Sequence, residues 1–172
     1  MMWIFRYDQT TADDKQLGGK AIALWLLGKA GFPIPPWLAV LPEACPALTG
    51  DRLPDSASLS AGRAAELATA LRNMDPRTTQ WAVRSSAADE DNPQHSFAGQ
   101  LESYLNVNIN DVPARIADVW RSGFAPRVMA YRRERGLPLP PPVPTVIVQA
   151  MVPSETAGVA FSADAISGRW DC

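Results

Sequence analysis

The runs TQWAVRSS, residues 79–86, and LESYLNVNI, residues 101–109, both alternate and are rich in β-branched and aromatic residues, as strands are. The residues between them leave no room for a core helix; they form a polar loop that contains Pro93 and Gly99. Two strands joined this way are expected to pair as antiparallel neighbours. The pair requires that the fold contain a sheet.

Helices are expected on both sides of it. KQLGGKAIALWLLGKA, residues 15–30, predicts a helix that starts at or just after Gly19-Lys20, crowds Ile22, Leu24, Trp25, Leu26 and Leu27 into an apolar stripe, and is stopped by Gly31. A second is predicted from about Ser60 to Met74, with Leu67, Leu71 and Met74 at helical spacing. Asp111 is placed to cap a third, with Ile116, Val119 and Trp120 on one face. Pro126 is placed to open a fourth that ends at Gly136 and carries Arg127, Arg132, Arg133 and Arg135 on its surface.

Prolines punctuate the rest. Pro33, Pro35 and Pro36 set an extended entry to a short buried strand at Trp37 to Val40, and Cys45 to Asp55 reads as loop. LPLPPPVP, residues 137–144, reads as an extended, polyproline-like connector. Beyond it, TVIVQAMV and AGVAFSA read as two apolar strands about a turn at Pro153 to Thr156, and are expected to begin a second sheet.

In a chain of 172 residues, 47% hydrophobic content allows a sizeable core. A formal net charge of -2 argues against a general polyanion binder, so nucleic acid is not expected as a partner. Cys45 and Cys172 are the only thiols and His95 the only imidazole, too few for a Cys/His zinc site or a disulfide framework. No apolar run approaches the roughly 20 residues that cross a bilayer, and MMWIFRYDQTTADD lacks the apolar core of a signal peptide. A cytoplasmic chain without a membrane partner is expected.

Few residues suggest chemistry. Lys20 stands where a loop becomes a helix, so its ammonium and the backbone N–H groups there could hold a phosphate. The local sequence alone favours a solvated Lys: Ala21 replaces the Ser or Thr of a P-loop, and Asp14 its first Gly. Arg84 brings a planar five-donor fork to a strand end beside Ser85 and Ser86, suited equally to phosphate oxygens and to an ion pair with Asp89, Glu90 or Asp91. Those acids form no EF-hand loop, since Gln94 occupies the required Gly position and Gln100 that of the bidentate Glu. His95 lies in a polar loop without an evident nucleophile, and a surface hydrogen-bonding role is favoured. Phe97-Ala98-Gly99-Gln100 fits a small-residue cover that approaches a ligand as well as it fits a simple hairpin turn. The arginines of 127 to 135 read as a solvated cationic helix face.

Taken in order, LGGKAIALWLLGKAGFPIPPWLAV, AVRSSAADEDNPQHSFAGQLESYLNV and VIVQAMVPSETAGVAFSADAISG resemble three successive motifs of the pyruvate phosphate dikinase ATP/AMP-binding domain, the nucleotide module of phosphoenolpyruvate synthase, pyruvate phosphate dikinase and rifampicin phosphotransferase. The resemblance implies an α+β, ATP-grasp-like fold. Residues 1–144 would be the first lobe and residues 145–172 the incomplete start of the second. It implies that Lys20 and Arg84 contact ATP phosphates, that Ser96, Phe97, Ala98, Gly99 and Gln100 close over them, and that Gln149, Ala150, Met151 and Val152 line the adenine pocket.

In the family a phosphoryl group passes from ATP to a histidine on a separate domain and then to pyruvate or another acceptor. The acids and amides that hold Mg2+ belong to the second half of the module. His95 lies inside the nucleotide motif and lacks the family's Thr-Ser-His context, so it is not the phosphohistidine. The sequence is thus expected to be the ATP-binding portion of a larger phosphotransferase, inactive alone and able to associate through its C-terminal strands. The alternative is a non-catalytic binding or regulatory protein that kept the lobe and lost the chemistry.

Overall fold

The computed structural model describes residues 3–46, 53–54, 57–87, 91–92, 95–96 and 101–159. A five-stranded antiparallel sheet dominates it, built from β1 (Ile4–Arg6), β2 (Trp37–Val40), β3 (Gln80–Ser86), β6 (Ser103–Asn108) and β7 (Thr145–Ala150) in the order β1-β2-β7-β3-β6. The short strands β4 (Asp91–Asn92) and β5 (His95–Ser96) form a separate hairpin in the β3–β6 connection.

β7 corrects the expectation of a second sheet. It lies in the middle of the first one, between β2 and β3, and all six of its residues are buried. A continuous apolar run of this kind is what a strand covered on both faces requires. The boundary expected between residues 144 and 145 therefore divides one sheet, and TVIVQA, paired on both sides, offers no edge for self-association. Of AGVAFSA, residues 160–163 lie outside the described residues, and Ala157 to Val159 form no strand.

α1 (Asp14–Lys29) covers one face, where Leu17 and Ala21 pack with Phe5, Trp37, Ala39, Leu41 and Ile147. α2 (Ala61–Met74) and α3 (Val112–Ser122) cover the other, placing Leu67, Leu71, Val112, Ile116 and Trp120 against Trp81, Val83, Val107, Val146 and Val148. The predicted helices are found within a residue or two, but their details differ.

α1 breaks at Gly18 (φ 73°, ψ 167°), so its long segment starts at Gly19 as expected. Gly31 (φ 84°) ends it, with the Phe32 N–H donating back to the Leu27 carbonyl. Leu26 and Leu27 of the expected apolar stripe are exposed rather than buried, because α1 crosses only part of the sheet. Ser60 caps α2 by accepting from the Arg63 N–H, whereas Asp111 precedes α3 in a helical conformation and makes no side-chain cap.

α4 (Pro126–Glu134) holds a second correction. Arg132, expected on its surface, is 3% exposed, and its Nε donates to the Pro138 carbonyl at 3.0 Å. The helix turns this residue towards the returning proline segment, where the Pro138 carbonyl, outside any ladder, takes the guanidinium Nε–H.

Candidate functional site

The site forms because α1 leaves part of its sheet face open. Side chains alternate along β3, so Trp81 and Val83 enter the α2–α3 core while Ala82, Arg84 and Ser86 share the α1 face. In the β3–β7 register Ala82 stands opposite Gln149, Arg84 opposite Ile147 and Ser86 opposite Thr145. Arg84 also faces Ser103 across the β3–β6 pair.

β6 carries a bulge, since Trp81 and Val83 face Val107 and Tyr104, three residues apart. Asn106 takes the left-handed conformation (φ 55°) that the extra residue needs, tolerated better by Asn than by most side chains. Tyr104 and Val107 consequently both reach the α2–α3 core. Leu105 is left 61% exposed on the open face.

The open face is a cleft of about 540 Å³. Arg84, Ala82 and Gln149 form its floor, Ser103 and Leu105 one wall, and Pro35 with Ala150, Met151 and Val152 the other. Two backbone bonds fix the second wall: Ala150 N–H to the Pro36 carbonyl at 2.9 Å and Met151 N–H to the Gln80 carbonyl at 3.1 Å. Gln149 is nearly buried, and its Nε2 donates to the Pro35 carbonyl at 3.3 Å. A second cleft of about 530 Å³ lies beyond Met151 and Val152, lined also by Asp75, Arg77, Thr78 and Gln80. There the Asp75 carboxylate accepts from Thr78 Oγ1 and the Arg77 N–H, which hold its pKa below the usual range.

Five of the residues expected to bind nucleotide, Arg84, Gln149, Ala150, Met151 and Val152, are thus brought into one cleft. Lys20 does not line it. Lys20 lies instead at the start of the long α1 segment, next to Ala21, whose N–H donates to Ser86 Oγ two residues beyond Arg84. One of the backbone N–H groups considered for a phosphate at that helix start is therefore already engaged. The backbone of Ser96 belongs to β5, and Phe97, Ala98, Gly99 and Gln100 lie outside the described residues.

Sequence reasoning missed Pro35, Ser103 and Leu105. Alternation along 101–109 puts Ser103 and Leu105 on one side, but only the register places that side beside Arg84. Among the described residues, no group of three or more His, Cys, Asp or Glu could hold a metal ion, and no helix is long and apolar enough to cross a membrane.

Residues 52–171 match the family of the pyruvate phosphate dikinase AMP/ATP-binding domain, and the chain belongs to it. A probable phosphoenolpyruvate synthase of Staphylothermus marinus is 33% identical over 98% of this chain and 24% of its own length. The prodigiosin synthesizing transferase PigC of Serratia marcescens is 34% identical over 92% of this chain and 19% of its own. A rifampicin phosphotransferase of Bacillus subtilis is 41% identical over 52% of this chain and 10% of its own. The chain spans a quarter or less of the length of these relatives.

Proposed function

We propose that the cleft binds ATP, with the phosphates at the Arg84 end and the adenine against Gln149 to Val152. The observation that carries this reading is the convergence of Arg84 with Gln149, Ala150, Met151 and Val152 on one cleft in a member of an AMP/ATP-binding family. Along β3, the Ala82 and Gln80 levels that hold Gln149 and Met151 lie two and four residues from Arg84, about 7 and 13 Å at the rise of a strand. A cationic fork at one end, with apolar Leu105 on one wall and Met151 and Val152 on the other, suits a ligand with a polyanionic tail and a flat apolar head.

In this reading the chain supplies the first lobe of an ATP-grasp module, extending through β7. The whole protein, in the same reading, passes a phosphoryl group from ATP, through a histidine on another domain, to pyruvate or a similar acceptor. Mg2+ would neutralise charge on the transferring phosphates. Among the described residues no group of three or more His, Cys, Asp or Glu could hold a metal ion, and the Asp75 carboxylate is engaged by Thr78 and Arg77. As the family resemblance implies, we assign the metal ligands to the second half of the module and the nucleophile to the histidine domain. Lys20 and Arg84 hold and orient the anion, and Gln149 to Val152 set the position of the base.

Titration calorimetry with ATP tests the reading. Lys20→Ala and Arg84→Ala should each weaken binding by about 1.5 to 3 kcal/mol, roughly 10- to 150-fold, the value of a hydrogen bond to a charged group. Unchanged affinity in both variants removes these residues from the site.

A further inference from the structure

We propose that Ser86, acting against Gly18, is a positioning residue that sets Lys20 in register with Arg84. The inference rests on the ATP-binding reading above and adds to it how the two cations are held as a pair.

The contact lies where β3 ends and α1 restarts. Ser86 is 1% exposed, and its Oγ accepts from the Ala21 N–H at 3.0 Å. With Gly18 as the residue before the long helical segment, that amide is the third of the helix, one of the donors that a helix start leaves without an internal partner. A serine commonly satisfies such an amide from the cap position of its own helix. Here the hydroxyl comes from a strand 65 residues away, so the cap also fixes the helix to the sheet.

Gly18 makes this approach possible. Its φ of +73° is rare for other residues, and a Cβ there would lie 2.4 Å from the Ser86 carbonyl oxygen and 2.9 Å from the Ala87 carbonyl carbon. Thr145, paired with Ser86 across the sheet, donates its hydroxyl to the Gln16 carbonyl on the other side of the Gly18 break. The backbone from Gln16 to Ala21 is thereby pinned to two adjacent strands, and Lys20 is the residue immediately before the Ser86 anchor. Arg84 stands two residues before Ser86 on the same face.

Two charge-assisted contacts to one phosphate chain need their groups placed within about half an ångström. Ser86 provides this placement without touching the ligand.

A double-mutant cycle separates the role from plain structural support. ATP affinity is measured by calorimetry for the full 172-residue chain and for Ser86→Ala, Lys20→Ala and the double variant, with Thr145→Val as a second way to loosen the same turn. Ser86→Ala should weaken ATP binding roughly five-fold in the otherwise unaltered chain and leave it unchanged when Lys20 is already Ala. Thr145→Val should show the same dependence on Lys20. If Lys20→Ala weakens binding but the Ser86 and Thr145 effects are absent, or persist in full without Lys20, the ATP reading stands and the positioning role is wrong. If ATP binds but Lys20→Ala has no effect, Lys20 leaves the site and this inference falls while the cleft reading stands; if ATP does not bind at all, both fall.

Discussion

Arg132 and Arg133 are neighbours on α4 with opposite surroundings. Arg132 is 3% exposed and hydrogen-bonded to Pro138, whereas Arg133 is exposed. Arg132→Ala should lose about 2 to 3 kcal/mol in urea unfolding, since it removes a charged hydrogen bond and buried packing together. Arg132→Lys should recover little because Lys lacks the planar fork, and Arg133→Ala should stay within about 0.5 kcal/mol. Equal costs at the two positions would show that burial does not set the difference. Cys45 is the other residue whose environment is measurable: burial pushes its thiol up to about 11. In a Cys172→Ser background, iodoacetamide at pH 8 should modify the folded chain far more slowly than the urea-unfolded one. Its contribution to stability is present below the unfolded thiol's pKa of about 8.5 and is lost as pH rises from there through 11. Sequence pattern could not separate Arg132 from Arg133, because what buries Arg132 is an aperiodic proline segment. It did single out Arg84, the last charged position of an apolar strand.

At the scale of elements, most of the secondary structure was legible because it rests on local signals. Gly18 and Gly31 bound the long part of α1, Ser60 opens α2, and Pro126 and Gly136 bracket α4. Asp111 carried the same kind of signal but makes no cap, so residue type alone did not secure the contact. The break in α1 is the element most open to test. Gly18→Ala should destabilise the chain by at least about 2 kcal/mol, combining a strained backbone conformation with a Cβ 2.4 Å from the Ser86 oxygen. Gly28→Ala, in the same helix with open space around its Cβ position, should be neutral or stabilising by a few tenths to about 1 kcal/mol. Chemical denaturation of the two variants compares them directly. A Gly18→Ala chain as stable as the original would mean that α1 does not approach β3 as closely as described.

At the scale of the whole molecule, the pairing of β3 with β6 was legible and the place of β7 was not. A β3–β6 pairing follows from nearness in sequence, whereas β7 reaches β2 and β3 across more than 50 residues. The signal present was the run Thr145 to Val148, apolar or β-branched throughout, the mark of a strand covered on both faces. A central position has a dynamic consequence: amides of Thr145 to Ala150 should be among the slowest to exchange with solvent, opening only with global unfolding. Exchange there as fast as in residues 153–159 would contradict the sheet order. The same order gathers the site, since β7 carries Gln149 and Ala150 to the strand that carries Arg84. The most direct test of the central claim is therefore a backbone NMR titration of the 172-residue chain with ATP. The account predicts that the largest shifts fall at Arg84, Ser103, Leu105 and Gln149 to Val152, with smaller ones at Gly18 to Ala21. Saturable shifts centred on α3 and α4, or none at any concentration of ATP, would contradict it.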